Sequence, residues 1–488
     1  MQCSLKIVLF LLSSLWVFAG CDALKELEEQ TGSVELEPVD PVRETVLAAP
    51  SRNYVHEMLV TPPEGEWPDP LPTLTWWETL EEGWAEVRKE GRPLLVLVQC
   101  PVSSSSGHLA DELNIPPPEL SEVLRQFVTV KLTDAQQIDL ARMPFQKYQD
   151  PDQSWWCWVL SPEGQVYSVL GKESPTSPEF EIGEAVNWMT SVLNHHWDPR
   201  RADWDADGEA IPDSTPIQSV TENPGYNSWK EGATYLGNIR DSGKCMCCHQ
   251  VQDVFWSERN LSQKFQPSAD YWIWPPAESA GIILKSQADG TVTEVLSNTP
   301  ADRSLLKAGD RIGVIDQQRV FSSADIRASL NQVAEFEFYV AQDQNISRYK
   351  FPERATHNRG HDITWRTSIE ESVLGSHLGF LLEPASKPVR SKLELEGRMA
   401  LRPLVGNDSP AWKAGVRSNQ VIVRLEEMGE DFTPKQFMVA FKMTAIGSKS
   451  SITVRNLDNP GLAERIELEA ISILDLPPEA IQMMKELK

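Results

Sequence analysis

The sequence predicts a multidomain chain of mixed α/β and β architecture, and three observations predict it. Leu94-Leu95-Val96-Leu97-Val98 is a continuous apolar run, the signature of a strand covered on both sheet faces, and a helix is expected before it over Trp77 to Lys89. A set of short strand and turn signals in the C-terminal half occurs twice, about a hundred residues apart. The chain has 488 residues, 41% of them hydrophobic, which is enough for three or four domains with separate cores.

Charge narrows the function classes. Lys plus Arg is 45 and Asp plus Glu is 71, a net charge of −26. Such acidity argues against nucleic acid as a partner and against adhesion to anionic lipid by charge. Tryptophan is frequent, at 17 residues, and clusters such as Trp155-Trp156-Cys157-Trp158 are expected to pack in cores.

The amino terminus reads as an address. Met1 to Lys6 carries one positive charge, and Ile7 to Ala19 is an apolar run too short for a comfortable membrane span. It ends in Phe18-Ala19-Gly20-Cys21. This resembles the lipobox of bacterial lipoproteins, which implies that residues 1–21 are a signal, that Cys21 is lipidated and that the mature chain is exported. An ordinary secretory signal cleaved near the same place is the alternative. Residues 22–72 are acidic and Pro-rich without sustained periodicity, and are expected to be a flexible linker.

Residues 73–197 form the first expected domain. A helix is predicted over Trp77 to Lys89, ending before Gly91, and a strand at Leu94 to Val98. Phe127 to Leu132 is a second strand, and Trp156 to Leu160 with Gln165 to Val169 a hairpin around Ser161-Pro162-Glu163-Gly164. Glu184 to His195 is a closing amphipathic helix. This order resembles the thioredoxin-like fold, which places a reactive Cys-x-x-Cys after the first central strand, at a helix start that lowers the thiol pKa. Here Ser103-Ser104-Ser105-Ser106 stands in that place, so thiol–disulfide exchange is not expected. Cys100 and Cys157 are expected to be buried, inert thiols. His108 beside the serine run has no G-x-S-x-G elbow or third partner around it, and no catalytic residue is assigned.

Residues 198–276 read as a polar linker, Asp198 to Pro224, followed by a short helical segment. Helices are expected at Trp229 to Ile239 and near Val254 to Phe265. Between them lies Cys245-Met246-Cys247-Cys248-His249, in which Cys245, Cys248 and His249 spell C-x-x-C-H, the attachment pattern of c-type haem. Two thiols three residues apart each add to one haem vinyl, and the following imidazole of His249 is the axial metal ligand. Cys247 leaves zinc or a plain disulfide open as alternatives. The segment resembles the opening of a cytochrome c domain, but no Met occurs between His249 and Met399. A sixth ligand would come from a distant His195, His196, His357 or His361.

The repeats occupy 277–345 and 373–470, with a linker at 346–372 and a tail at 471–488. In the first, Ala280-Gly281-Ile282-Ile283 precedes Thr299-Pro300-Ala301 and Ala308-Gly309-Asp310-Arg311-Ile312. In the second, Leu378-Gly379-Phe380-Leu381 precedes Ser409-Pro410-Ala411 and Ala414-Gly415. Both resemble PDZ domains of the bacterial secreted type, so small β-barrel domains are expected. The resemblance implies peptide binding by strand addition, with Ala280, Gly281, Ile282 and Ile283, and Leu378, Gly379 and Phe380, forming the loops that hold a terminal carboxylate. A closed groove is the alternative for the second repeat.

The whole order resembles a family of exported thioredoxin-like/PDZ proteins of planctomycete-type bacteria. That likeness supplies architecture more than activity; the expected function is a membrane-tethered scaffold that binds protein C-termini or peptides, with haem c, zinc or no cofactor at the C-x-x-C-H segment. A haem-dependent electron-transfer or redox-sensing protein of the cell envelope is the alternative. No Ser/His/Asp set with protease context is recognised.

Overall fold

The computed structural model describes residues 54–68, 73–99, 113, 115–148, 155–171, 182–201, 215–235, 246, 248–265, 277–315, 318–330, 336–342, 345–351, 380–395, 400–407, 409–425, 437, 439–441 and 447–471. They form a mixed α/β chain built on three β-sheets. The first described element is α1, Tyr54–Leu59. It falls inside the stretch expected as flexible linker. Val55 and Met58 of α1 are buried against Val314 and Ile346, far along the chain, so the tether expectation does not hold for these residues.

The first sheet contains β1 (Trp76–Trp77), β2 (Leu94–Gln99), β3 (Val128–Leu132), β4 (Trp155–Leu160) and β5 (Val166–Gly171), in the order β1-β3-β2-β4-β5. β1, β3 and β2 are mutually parallel, and β4 runs antiparallel to both its neighbours, β2 and β5. Helix α2 (Leu80–Glu90) starts later than the expected Trp77. Trp76 and Trp77 pair with Thr129 and Val130 instead, and Thr79 caps the helix by accepting from the Glu82 N–H while the Glu82 carboxylate accepts from Thr79 Oγ1. Gly91 ends it at φ +68, as the left-handed C-terminal cap favours. Helices α3 (Pro118–Leu124), α4 (Phe145–Tyr148) and α5 (Ile182–His196) follow. The alternation in β2 sends Val96 and Val98 to one apolar core and Leu95 and Leu97 to the other, which is why the run is continuously hydrophobic.

Helices α6 (Tyr226–Tyr235) and α7 (Cys248–Leu261) belong to the same core. Val220, Trp229, Met246, Val251 and Val254 are buried together with Leu80, Trp84 and Trp158. Residues 215–220, expected as linker, are bound to the turn after β3. Gln218 N–H donates to Asp139 (3.1 Å), Leu140 N–H to the Gln218 carbonyl (2.9 Å), and the buried Arg142 bridges Asp139 (2.6 Å) and the Thr215 carbonyl (2.9 Å).

The second sheet is β6 (Ile282–Ser286), β7 (Asp289–Val295), β8 (Arg311–Ile315), β9 (Gln318–Arg319), β10 (Phe336–Gln342) and β11 (Asn345–Phe351), ordered β11-β10-β8-β7-β6 with β9 paired to β8. Helices α8 (Pro300–Arg303) and α9 (Ser323–Leu330) lie within it. β11 pairs with β10 along its whole length, so this unit runs past residue 345, the expected end of the first repeat, into the stretch expected as linker. The third sheet is β12 (Phe380–Pro384), β13 (Leu401–Val405), β14 (Gln420–Leu425), β15 (Lys449–Asn456) and β16 (Ala463–Glu469), in sequence order, with α10 (Lys387–Lys392) and α11 (Pro410–Ala414).

The first two sheets share a helix. Ile326 and Leu330 of α9 enter the core of the second sheet, whereas Ala324 and Ala328 enter that of the first. Each pair is one turn apart, on opposite faces, and every residue of α9 is buried. Among the described residues, no helix is long and apolar enough to cross a membrane.

Candidate functional site

A sheet takes up a peptide at an edge strand, because there the outward backbone donors and acceptors lack a strand partner. β6 is such an edge: it pairs with β7, and among the described residues no strand pairs on its other side. The turn before it closes with Gly281 N–H donating to the Glu278 carbonyl (2.9 Å), and the Gly281 carbonyl accepts from Leu296 N–H (2.9 Å). Gly281 adopts φ +87, and a Cβ there would lie 1.9 Å from Thr299 Oγ1. Only glycine fits that turn. Along β6, Lys285 is exposed and Ile283 and Leu284 are half-buried.

The four residues expected to form the first peptide loop are therefore contiguous at the open end of an edge strand. Their side chains divide otherwise than expected. Ala280 and Ile282 are buried in the core of the second sheet, so of the two isoleucines only Ile283 faces outward in part. The third sheet has the corresponding edge in β12, whose Phe380 opposes Val405. The Phe380 side chain is in the core, so it supports the strand and does not line a groove. Leu378 and Gly379 lie outside the described residues, as do Cys21, Cys100, Ser103, Ser106, His108, His357 and His361.

The β5 edge of the first sheet is treated differently. Ser322 and Asp325 form a capping box at the start of α9: Ser322 N–H donates to Asp325 Oδ2 (3.0 Å) and Asp325 N–H to Ser322 Oγ (3.3 Å). The same two side chains bind β5. Ser322 Oγ donates to the Val169 carbonyl (2.6 Å), Val169 N–H donates to Asp325 Oδ1 (3.4 Å), and Ser168 Oγ donates to Asp325 Oδ2 (2.8 Å). Burial pushes the Asp325 carboxyl up to about 6 against these donors. No site residue was expected here, although the Ser-x-x-Asp spacing before a helix is a capping signal that the sequence carries.

The cysteine segment is held at the carboxyl end of β3. Met246 N–H donates to Asp134 Oδ1 (2.9 Å), Ala135 N–H donates to the Met246 carbonyl (3.0 Å), and the Met246 side chain is buried in the first core. Cys248 and His249 then open α7, two turns earlier than the helix expected near Val254. Cys245 and Cys247 lie outside the described residues. In open α/β sheets the carboxyl ends of parallel strands are where ligands bind, since helix starts and loops converge there. Further along α7, Gln252 and Ser257 are buried, and neither Gln252 Oε1 nor Ser257 Oγ has a hydrogen-bond partner among the described residues.

The remaining expected groups are structural. Cys157 is buried and its thiol is pushed well above the ordinary range by burial, as an inert core thiol should be. His195 and His196, named as distant iron ligands, are both buried at the end of α5. His196 lies between the Tyr167 hydroxyl (3.1 Å) and the Gly91 carbonyl (3.1 Å), and burial, with the Arg201 guanidinium nearby, lowers its pKa to about 4. Among the described residues no group of three or more His, Cys, Asp or Glu is placed to hold a metal ion.

No protein-family model matches the chain, and no curated protein matches it. Among solved structures it is similar to the HtrA-type protease AlgW with decapeptide, at 16% identity over 30% of this chain and 50% of that one, with a TM-score of 0.18. It is also similar to a variant of that protease with decapeptide, at 21% identity over 35% of this chain and 43% of that one, again with a TM-score of 0.18. The chain thus spans half or less of the length of these structures.

Proposed function

We propose that this chain is an exported scaffold, tethered through a lipid on Cys21, that binds extended peptides at PDZ-like sheet edges. The observation that carries the reading is β6, an edge strand entered through a glycine-only turn. A peptide laid along β6 would extend the second sheet by one strand, with its terminal carboxylate at the Ala280–Ile283 turn. Expected affinity is roughly micromolar, about −8 kcal/mol. The test is fluorescence polarisation with free-acid peptides ending in an apolar residue, against the same peptides amidated at the C-terminus. Binding of the acid and loss with the amide support the reading. Equal binding of both, or none, sinks carboxylate recognition.

The first domain supports a redox-inactive thioredoxin-like reading through its strand order, β1-β3-β2-β4-β5, with β4 alone antiparallel to the other four strands. Insulin reduction by the full chain should be absent, since Ser103 and Ser106 stand where exchanging thiols belong.

A second reading, haem-dependent electron transfer or sensing, is favoured by the place of Met246, which ties the C-x-x-C-H segment to the carboxyl end of β3. The donor set suits haem c: Cys245 and Cys248 would hold it by thioethers and His249 would ligate the iron. Bound haem supplies one-electron chemistry. The chain's own part is to hold Met246, within that segment, through Asp134 and Ala135.

A further inference from the structure

Helix α9 is covered on every side. None of its residues, Ser323 to Leu330, is more than 8% exposed. Ile326 and Leu330 enter the core of the second sheet, Ala324 and Ala328 that of the first, and Asp325 takes up the β5 backbone. A helix at the surface of a domain normally leaves one side to solvent. Of α9 no side is left.

The place of α9 makes that cover matter to β6. The Ser323 N–H donates to the Gln287 carbonyl just past β6 (2.9 Å), and Leu330, at the other end, shares a core with Ala277 and Ala280 just before β6. α9 therefore runs the length of β6 in the opposite direction. A strand added to β6 turns alternate side chains towards this helix, and pockets for alternate side chains are what gives strand addition its specificity. We propose that the first domain gates the peptide edge: with α9 closed on β5 the helix has no side to offer, and a peptide adds to β6 only as α9 parts from β5. This inference deepens the peptide reading above and rests on it. The seam that must part is small. Ser168 Oγ donates to Asp325 Oδ2 (2.8 Å), Ser322 Oγ to the Val169 carbonyl (2.6 Å) and Val169 N–H to Asp325 Oδ1 (3.4 Å). Residues 54–67 keep the two domains joined as it opens: Val55 and Met58 pack on Val314 and Ile346 of the second sheet, and Trp67 Nε1 donates to Asn194 Oδ1 of α5 (3.2 Å). The affinity observed is then the intrinsic one reduced by the fraction of chains that are open.

The experiment uses the full chain and free-acid peptides ending in an apolar residue, read by fluorescence polarisation. The Ser168 and Ser322 hydroxyls lie 3.4 Å apart, so Ser168→Cys with Ser322→Cys puts two thiols within reach of a disulfide across the seam. Closed with oxidised glutathione, this variant should bind at least about tenfold more weakly than wild type. Opened with dithiothreitol, it lacks the hydroxyl bonds of the seam and should bind about tenfold more tightly than wild type. Wild type under both redox conditions is the control for the native cysteines. Ser168→Ala, which leaves the second sheet untouched, should also tighten binding, and decides alone if the double variant does not fold. In wild type, saturating peptide should speed amide exchange at Val169, whose N–H the seam protects. Equal binding by the closed and opened forms, or weaker binding on opening, overturns the gate and leaves the peptide reading standing. No binding by any form, the opened ones included, overturns both.

Discussion

β5 and β6 are both edge strands of their sheets, and the chain handles them in opposite ways. β5 meets the start of α9, where Ser322 and Asp325 take up the Val169 backbone and the Ser168 hydroxyl. β6 has no strand on its outer side among the described residues and carries the exposed Lys285 midway. An unprotected edge invites strand addition, so a chain seals the edges it does not use. The difference lies in the two edges: β5 is covered by the start of α9, and β6 has no strand on its outer side among the described residues. One helix links the two, because α9 seals β5 with its capping box while its Ile326 and Leu330 fill the core beside β6.

The comparison breaks most visibly at Asp325. Asp325→Ala removes the acceptor of the Phe321, Ser322 and Val169 N–H groups and of the Ser168 hydroxyl, all buried. Loss of the cap and of several buried acceptors should destabilise the chain by roughly 3–5 kcal/mol, read as a lower urea midpoint. A midpoint equal to wild type would show that the seal contributes nothing.

The pH dependence of the same residue sharpens the point. Asp325 titrates at about 6 in the fold against an ordinary 3.8, so the folded chain binds this proton first on acidification. Its contribution to stability rises as the pH falls from about 6 to about 4 and is lost as the pH rises again. His196 acts in the other direction. Its folded value is about 4 against an ordinary 6.5, so the unfolded chain binds the proton first and stability present above 6.5 is lost as the pH falls towards 4. Each amounts to roughly 3 kcal/mol at full development. Asp325→Asn removes one of the two, so the difference between its urea midpoint and that of wild type should grow in favour of wild type from pH 6.5 to pH 4. A difference constant over that range would mean that Asp325 does not titrate there.

At the open edge the effects should be smaller. Gly281→Ala forces a side chain into a left-handed backbone and against Thr299, and should cost about 2 kcal/mol with loss of peptide binding. Lys285→Ala, on the exposed strand, should change stability by no more than about 0.5 kcal/mol. A large loss from Lys285→Ala would show that something already covers β6.

Local patterns carried much of this structure. The apolar run of β2 announces a strand covered on both faces, Thr79 and Glu82 carry the cap signal for α2 that an expected start at Trp77 passes over, and the glycine of Ala280-Gly281-Ile282 announces the turn into β6. The C-x-x-C-H spacing is likewise a local signal. In each case the energy comes from neighbours in the chain: a pleat of period two, a cap three residues on, a φ that one residue type tolerates. The parts that escaped depend on distant partners. Residues 215–220 look like a polar linker until Asp139 and Arg142 bind them, and α1 looks like tether until Val314 and Ile346 cover it. The sequence by itself determined where strands, caps and turns form. Only the tertiary structure decided that β5 is covered by α9, that β6 has no strand on its outer side among the described residues and that Gln252 and Ser257 of α7 are buried, because each depends on packing against residues far along the chain, and burial is set by how the sheets and helices pack.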